Sequence, residues 1–334
     1  MKPNKEHITI FDNSQLIVKF IEELIIKPRI DIHKWSRITK QTPSLKIGYI
    51  GQHLTSLILG MQGDRTGARG HDIIDGTEVK SCTKVDQVDK CKDCGNRVMR
   101  TEPMCSYCTS TNIARKDDSK WLFSPRTEEE LKQLTEEIDR VFLLISDYPN
   151  FNINDFSSIR FEGFEIYPKA KRMETFKYLL TDYYYNNYLP KREANATTAP
   201  MNFHPSSFHF YMCNPIKVYS CTINRIDEEN PTIVINKFVK PDKDRTNLES
   251  EHLPVTLLLK SELMDFINTA PYNKIIKPLL TNQATIKDDL LSKINKGRKE
   301  DWEKEIPMIT EQAKQYLDLR KIIVGHNKTI YKRN

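Results

Sequence analysis

The stretch TEVKSC (residues 77–82), directly behind the loop GDRTGARGHDIIDG (63–76), decides the fold of this chain. HDII (71–74) and TEVKSC are short runs rich in β-forming residues. Asp75-Gly76 between them is a strong hairpin signal. The sequence therefore predicts two short strands that are joined by a tight turn behind a glycine-rich loop.

The turn determines which side chains share a face of this hairpin. In a three-residue loop with a left-handed Gly76, Asp72 pairs with Glu78. Because side chains alternate along a strand, Asp72, Glu78 and Lys80 then point to the same side. We expect this register to bring two carboxylates and an amine together.

Two neighbouring carboxylates repel each other unless a cation lies between them. Oxygen ligands of this kind suit Mg²⁺, which also accepts phosphate oxygens, and the backbone carbonyl of Val79 is a further candidate ligand. Lys80 is placed to orient or deprotonate an attacking water and to offset charge on a phosphoryl transition state. The pattern thus indicates a hydrolytic metal site formed by Asp72, Glu78 and Lys80.

Two alternatives stay open at this stage. A solvated hairpin with an internal ion pair explains the same residue types without any catalysis. In a different hairpin register, Asp75 replaces Asp72 as the first metal ligand. The loop GDRTGARG is not a nucleotide-binding motif, because it lacks the terminal Gly-Lys-Ser/Thr of a P-loop.

The elements around the hairpin predict an α/β core. Residues 44–62 have the apolar face of a helix, 124–140 begin with a Thr127–Glu130 capping box, and 141–148 form a continuous apolar run typical of a buried strand. KWLFS (120–124) is expected to be a further strand of this core. The resulting order is helix, three strands, helix, strand.

Four of the seven cysteines lie within 18 residues, and their spacing is that of a metal site. Two Cys-x₂-Cys pairs predict a structural Zn²⁺ site closed by four thiolates, with a zinc ribbon at residues 90–110. The predicted ligands are Cys91, Cys94, Cys105 and Cys108. This ribbon is inserted between the second and third strands of the core.

The composition bounds the class of protein. The chain has 334 residues, is 38% hydrophobic and carries a formal net charge of +6. It has no run of 18 apolar residues and no signal-peptide pattern, so we expect a soluble protein without a membrane partner. The mild positive charge is compatible with a polyanionic partner but does not prove one.

The C-terminal half predicts an α+β region with residues suited to DNA, although amphipathic packing and ordinary loops explain much of its composition. FHFYM (208–212) is expected to be a strand there. The candidate DNA-binding residues, with two arginines of the glycine-rich loop, are Arg65, Arg69, Lys169, Lys171, Arg172, Lys191, Arg192, Asn202 and His204.

The run IGQHLTSLILGMQGDRTGARGHDIIDGTEVKSCTKVDQVDKCKDCG (50–95), with the second cysteine pair, resembles the MamI-type type II restriction endonucleases. The resemblance is tightest over residues 44–148. It implies a PD-(D/E)xK nuclease core, a mixed sheet flanked by helices, with Asp72 and Glu78 as Mg²⁺ ligands and Lys80 as the catalytic lysine. His71 stands where that signature has proline. Gln52 on the preceding helix is a candidate for the extra polar group of such sites, although a solvent-facing residue is the favoured interpretation.

The resemblance also implies partners and a domain plan. We expect a homodimer that cuts double-stranded DNA in the bacterial cytoplasm beside a cognate DNA methyltransferase. The plan is a nuclease core at 1–168 that contains the ribbon, and a DNA-recognition and dimerisation region at 169–334. A repair or junction nuclease with the same site, and a zinc-ribbon regulator without catalysis, remain alternatives. The amino-acid sequence does not indicate which DNA sequence is recognised or where it is cut.

Overall fold

The computed structural model describes residues 1–44, 47–65, 71–228 and 230–320. The α-helices are α1 (Asn13–Ile21), α2 (Lys27–Thr39), α3 (Gly48–Leu59), α4 (Glu128–Lys132), α5 (Glu174–Tyr183), α6 (Leu189–Glu193), α7 (Phe208–Met212), α8 (Lys260–Thr269), α9 (Lys287–Lys296), α10 (Lys299–Glu305) and α11 (Glu311–Lys314). The strands are β1 (Thr77–Thr83), β2 (Asp89–Cys91), β3 (Arg97–Val98), β4 (Ile113–Ala114), β5 (Trp121–Phe123), β6 (Arg140–Asp147), β7 (Ile159–Ile166), β8 (Met201–Phe203), β9 (Ile216–Asn224), β10 (Thr232–Phe238), β11 (Leu253–Pro254) and β12 (Met308–Ile309). No helix among the described residues is long and apolar enough to span a bilayer.

The chain forms two compact units, each assembled from separate segments. Of the described residues, the first unit comprises those within 1–121, 138–165 and 217–246, and the second comprises those within 122–137, 166–216 and 247–320. The functional boundary expected at residue 168/169 stays a prediction.

A five-stranded sheet in the order β1-β6-β7-β9-β10 forms the centre of the first unit. The sheet is mixed, because β1 and β6 are parallel whereas β9 and β10 are antiparallel. All residues of β6 except its last are buried, as expected for its continuous apolar run. β1 lies at the edge of this sheet, so the backbone groups on only one of its two sides pair with β6.

Helix α3 packs closely on β1 because Gly51 has no side chain. A Cβ at this position would lie 1.9 Å from Ser81 Oγ and 3.3 Å from a methyl group of Leu144. The close approach places the next residue, Gln52, beside the hairpin. The expected helix over 44–62 is thus present, although it begins at Gly48.

Three expectations about strands were wrong. HDII forms no strand, since only Ile73 makes isolated bridges, to Gly63 and Thr77. KWLFS contributes β5, which pairs with β8 and not with the central sheet. FHFYM is helix α7 and not a strand, because the Ser207 hydroxyl accepts a hydrogen bond from Phe210 N–H and caps its first turn.

The second unit is mainly helical and has its own core. The rings of Phe123, Phe176 and Phe203 meet edge to face with centroids 5.4 to 6.1 Å apart. Other buried residues join α8, α9 and α10; they include Leu263, Phe266, Leu290, Ile294 and Trp302. This unit also contains the short strand pair β11–β12, whereas β9 and β10, which belong to the same C-terminal half of the sequence, lie in the first unit.

Candidate active site and cysteine cluster

The turn in front of β1 has the predicted three-residue geometry. Gly76 has a φ of +81°, and its N–H donates to the carbonyl of Ile73 at 3.0 Å. Ile73 pairs with Thr77 across the turn. Asp72, which precedes the turn, and Glu78, which follows Thr77, are therefore neighbours.

The Asp72 carboxylate is held by groups from two elements. Its Oδ2 accepts a hydrogen bond from Val79 N–H of β1 at 2.7 Å, and its Oδ1 accepts one from the Gln52 side chain of α3 at 2.5 Å. The amide on one side and the helix on the other fix the direction in which this carboxylate points.

Opposing effects act on the protonation of Asp72. Burial raises the pKa of Asp72, and the hydrogen bond from Val79 N–H lowers it. The negative charge of Glu78 raises this pKa further, while Lys80 and His71 lower it, and the net direction is upward. The carboxylates of Asp72 and Glu78 are thus close enough to disfavour two negative charges, which is the condition that a bound cation would relieve.

Glu78 and Lys80 form the other half of the site. Lys80 Nζ lies 2.5 Å from Glu78 Oε1, and the two side chains are 31% and 17% exposed, so solvent still reaches both. The structure therefore brings Asp72, Glu78 and Lys80 together beside β1, an edge strand of the central sheet.

A surface concavity of about 560 Å³ adjoins this cluster. Asp72, Gln52, His71, Arg65 and Tyr49 are among its lining residues. Arg65, one of the predicted phosphate contacts, is exposed here. Arg69, the other arginine of the loop, lies outside the described residues.

Asp75, the rival first ligand, has a different environment. Its Oδ2 pairs with the Arg140 guanidinium at 2.5 Å, and its Oδ1 accepts hydrogen bonds from Thr77 N–H and Thr77 Oγ1–H. Both of its carboxylate oxygens are thus engaged within the turn and the sheet, whereas Asp72 faces the concavity.

Two residues of this region were misjudged or missed in the sequence. Gln52 does not simply face solvent on α3, since its amide contacts the Asp72 carboxylate. Arg140 has no role in the sequence-based prediction, although an arginine at the head of the apolar run RVFLLIS is an unusual residue for a buried strand.

The four predicted zinc ligands do converge. Their sulfur atoms all lie within 4.8 Å of one another, and the pairs Cys91–Cys108 and Cys94–Cys105 are each 3.6 Å apart. A tetrahedral ion with bonds of about 2.3 Å separates its ligands by about 3.8 Å. Among the described residues, this is the one group of three or more His, Cys, Asp or Glu side chains whose ligand atoms lie close enough together to hold a metal ion.

The two cysteine knuckles repeat one hydrogen-bond pattern. Cys91 N–H donates to the carbonyl of Asn96, and Gly95 N–H donates back to Cys91. The second knuckle repeats both bonds at Cys105, with a left-handed Thr109 in the position of Gly95. Hydrogen bonds from Asn96 lower the pKa of Cys94, while contacts with the neighbouring sulfur atoms raise the pKa of Cys108, so the thiols differ in how readily they form the thiolate that a metal requires.

A buried ion pair anchors the base of the ribbon, which is the three-stranded sheet β3-β2-β4. Arg100 donates two hydrogen bonds to Asp89, at 2.9 and 2.8 Å. Its guanidinium also lies 5.0 to 5.7 Å from the ring centroids of Tyr148, Phe151 and Phe156. The ribbon is thus attached to the unit that contains the hairpin.

The predicted DNA-binding residues of the second unit have mixed environments. Arg172 pairs with Glu311 at 2.5 Å, and Lys169 Nζ donates to the carbonyl of Glu137 at 2.7 Å. Arg192 donates to the carbonyl of Arg126. Of the remaining candidates, Lys171 and Asn202 are exposed, whereas Lys191 and His204 are half-buried.

Comparison with known proteins identifies the class as that of the restriction endonucleases. The family model described as MamI restriction endonuclease matches residues 34–256, more than half of the chain. The chain therefore belongs to the MamI restriction endonuclease family. It is also 31% identical over 75 residues to the type II restriction enzyme MamI of Microbacterium ammoniaphilum, an alignment that covers 22% of this chain and 24% of the relative. No solved structure matches this chain.

Proposed function

We propose that this protein is a Mg²⁺-dependent type II restriction endonuclease that hydrolyses phosphodiesters in double-stranded DNA. The observation that carries the proposal is the proximity of an oriented Asp72 carboxylate to Glu78 and Lys80 of the edge strand β1. Family membership supports an activity on DNA. A PD-(D/E)xK core is part of the same proposal, with the mixed sheet β1-β6-β7-β9-β10 and helix α3 in place of the strand order expected from the sequence.

The residues present fit a Mg²⁺ ion. Two carboxylates lie near each other, one of them with a raised pKa, and Mg²⁺ prefers oxygen ligands of this kind. Asp72 and Glu78 would hold the ion. Val79 N–H points toward Asp72, and the carbonyl of a strand residue points to the same side as its N–H, so Val79 O is the third proposed ligand. When bound, Mg²⁺ would polarise the scissile phosphate and offset its charge.

The side chains of the chain itself then have separate tasks. Lys80 is proposed to orient or help deprotonate the attacking water and to offset the negative charge of the transition state. For this it must leave its present contact with Glu78. Gln52 holds Asp72 from the helix side. Arg65 and Arg69, with the basic and polar residues of the second unit, are the proposed contacts to DNA.

The cysteine cluster is proposed to bind a structural Zn²⁺. All four ligands are thiols at suitable separations, so the site would be closed and would not serve in hydrolysis. A palindromic DNA site calls for two active sites, so we also propose a two-fold homodimer and a cognate methyltransferase that protects the host DNA.

The experiment that tests this function is a digest of supercoiled plasmid and phage DNA by the purified protein with Mg²⁺ or with EDTA. Discrete fragments that appear with Mg²⁺ support a restriction enzyme, and sequencing their ends gives the recognition site. Nicking that depends on DNA structure would instead support a repair or junction nuclease. Metal-independent binding without cleavage under any divalent ion would support a regulator.

A further inference from the structure

Arg140, a buried arginine at the start of β6, contacts the three segments around the candidate site: the start of β1, the turn before it and the residues after α3. Arg140 Nε donates to Thr77 Oγ1 at 3.0 Å, and one terminal nitrogen pairs with Asp75 at 2.5 Å. The same nitrogen lies 3.8 Å from the sulfur of Met61, just beyond the end of α3. Arg140 is therefore a meeting point of the start of β1, the turn and the segment that follows the helix.

A chain of alternating charges holds this arginine. Glu165 accepts from Arg140 at 3.1 Å and from Arg245 at 3.2 Å, and the Glu165 side chain is completely buried. Arg245 also donates to the carbonyls of Lys240 and Pro241. The four groups Asp75, Arg140, Glu165 and Arg245 have no net charge in their ionised forms, which reduces the cost of burying them.

The contacts of the turn connect Arg140 to Asp72. Thr77 is held by Arg140 and by Asp75, and the Thr77 carbonyl accepts the backbone N–H groups of Asp72 and Ile73 at 3.1 and 3.2 Å. A displacement of Thr77 would therefore move the backbone of Asp72 with respect to Val79, which follows two residues later on the same strand.

We propose that Asp75 and Thr77, held in place by Arg140, are the positioning residues that direct the Asp72 carboxylate toward its metal-binding orientation. This inference rests on the proposed function. These residues touch no substrate in this scheme; they set the fraction of molecules in which Asp72, Glu78 and the Val79 carbonyl converge. Groups that hydrogen-bond a metal ligand change metal affinity by about 10- to 100-fold when they are lost, and we expect an effect in this range when Thr77, whose carbonyl accepts the Asp72 N–H, is displaced.

The test compares Asp75→Asn with a matched variant, Asp86→Asn. Asp86 forms a second buried ion pair of the same unit, with Arg29 at 3.1 Å, and has a left-handed φ of +53° that asparagine tolerates. It lies beyond the far end of β1 and contacts none of the hairpin residues named above. Loss of stability alone should therefore affect both variants, whereas loss of positioning should affect only Asp75→Asn.

Two measurements do not depend on catalysis. Hydrogen exchange of the Val79 amide in metal-free protein should be about tenfold faster in Asp75→Asn than in Asp86→Asn. Calorimetric titration with Mn²⁺, as a probe of the metal site, should show an affinity about 10- to 100-fold weaker for Asp75→Asn and unchanged for Asp86→Asn. Thr77→Val, which removes the hydroxyl without changing any charge, should reproduce both effects in the event that Asp75→Asn does not fold.

Equal Val79 exchange and equal Mn²⁺ affinity in the Asp75→Asn and Asp86→Asn variants would overturn the proposal. The proposed function alone would be contradicted if the wild type binds Mn²⁺ and the variants show the expected differences in both measurements, but the wild type cuts no DNA. Wild-type protein that binds no Mn²⁺ would overturn both.

Discussion

The cysteine cluster is formed by one short sequence pattern that occurs twice. The candidate active site of Asp72, Glu78 and Lys80, called the hairpin site below, is formed by single residues from several elements. Each knuckle supplies two sulfur atoms and closes its own hydrogen bonds within six residues. The hairpin site needs Gln52 from α3, Asp72 from the turn and two side chains of β1. A local pattern specifies the first site, but packing between helix, turn and sheet specifies the second.

The largest effect is expected from Cys91→Ser, which breaks the local site. Loss of one thiolate should release Zn²⁺ and, because metal binding is coupled to folding of such ribbons, lower the free energy of unfolding by on the order of 5 kcal/mol or more. Metal analysis and thermal denaturation measure both quantities. Cys221→Ser, at a buried cysteine outside the cluster, is the control and should leave the metal content unchanged. A Cys91→Ser variant with full zinc content would refute the four-thiolate site.

Lys80→Ala tests the assembled site. Removal of the amine should slow cleavage by about 100- to 10,000-fold while DNA binding and zinc content stay near the wild-type values. Cleavage is measured under single-turnover conditions, and binding is measured by gel shift. Lys90→Ala, at an exposed lysine of the ribbon, controls for the loss of one positive charge. Normal cleavage by Lys80→Ala would remove this lysine from the mechanism.

Gly51→Ala tests how far the hairpin site depends on the packing of α3. The added Cβ would collide with Ser81 Oγ, so the helix must move, at a cost of about 1–3 kcal/mol in stability. The same movement should withdraw Gln52 from Asp72 and slow cleavage. Gly48→Ala, where a Cβ would meet nothing within 4 Å, should change neither the melting temperature nor the cleavage rate by much. Equal behaviour of the two variants would contradict a packing role for Gly51.

The smallest effect concerns the protonation of Asp72 in metal-free protein. Its pKa is raised, so the folded state binds this proton more tightly than the unfolded state does, and stability falls as the pH rises through that pKa. Asp72→Asn should therefore make metal-free protein slightly more stable at neutral pH and remove this part of the pH dependence. Mg²⁺ should stabilise the wild type but not the variant. Melting curves from pH 4 to 8, with and without Mg²⁺, check each point, and a less stable metal-free variant would contradict the sign.

The contrast between the two sites also explains what the sequence could predict. The Cys-x₂-Cys pairs and the three-residue turn with its left-handed Gly76 are local patterns, and the structure has both as expected. The contact of Gln52 with Asp72 follows from how α3 packs on β1, which periodicity does not show. FHFYM was mistaken for a strand because its aromatic residues favour β structure, whereas the Ser207 cap and tertiary packing decide for a helix.

The parallel pairing of β1 with β6 has a consequence for biosynthesis. Thr77 and Arg140 are adjacent in the sheet although 63 positions separate them along the chain. Contacts between such distant positions form late, while the cysteine knuckles need only their nearest neighbours. The knuckles leave the ribosome before residue 140 does, because they lie earlier in the chain. We therefore expect the nascent polypeptide to acquire its ribbon first and to assemble the candidate active site beside β1 only afterwards.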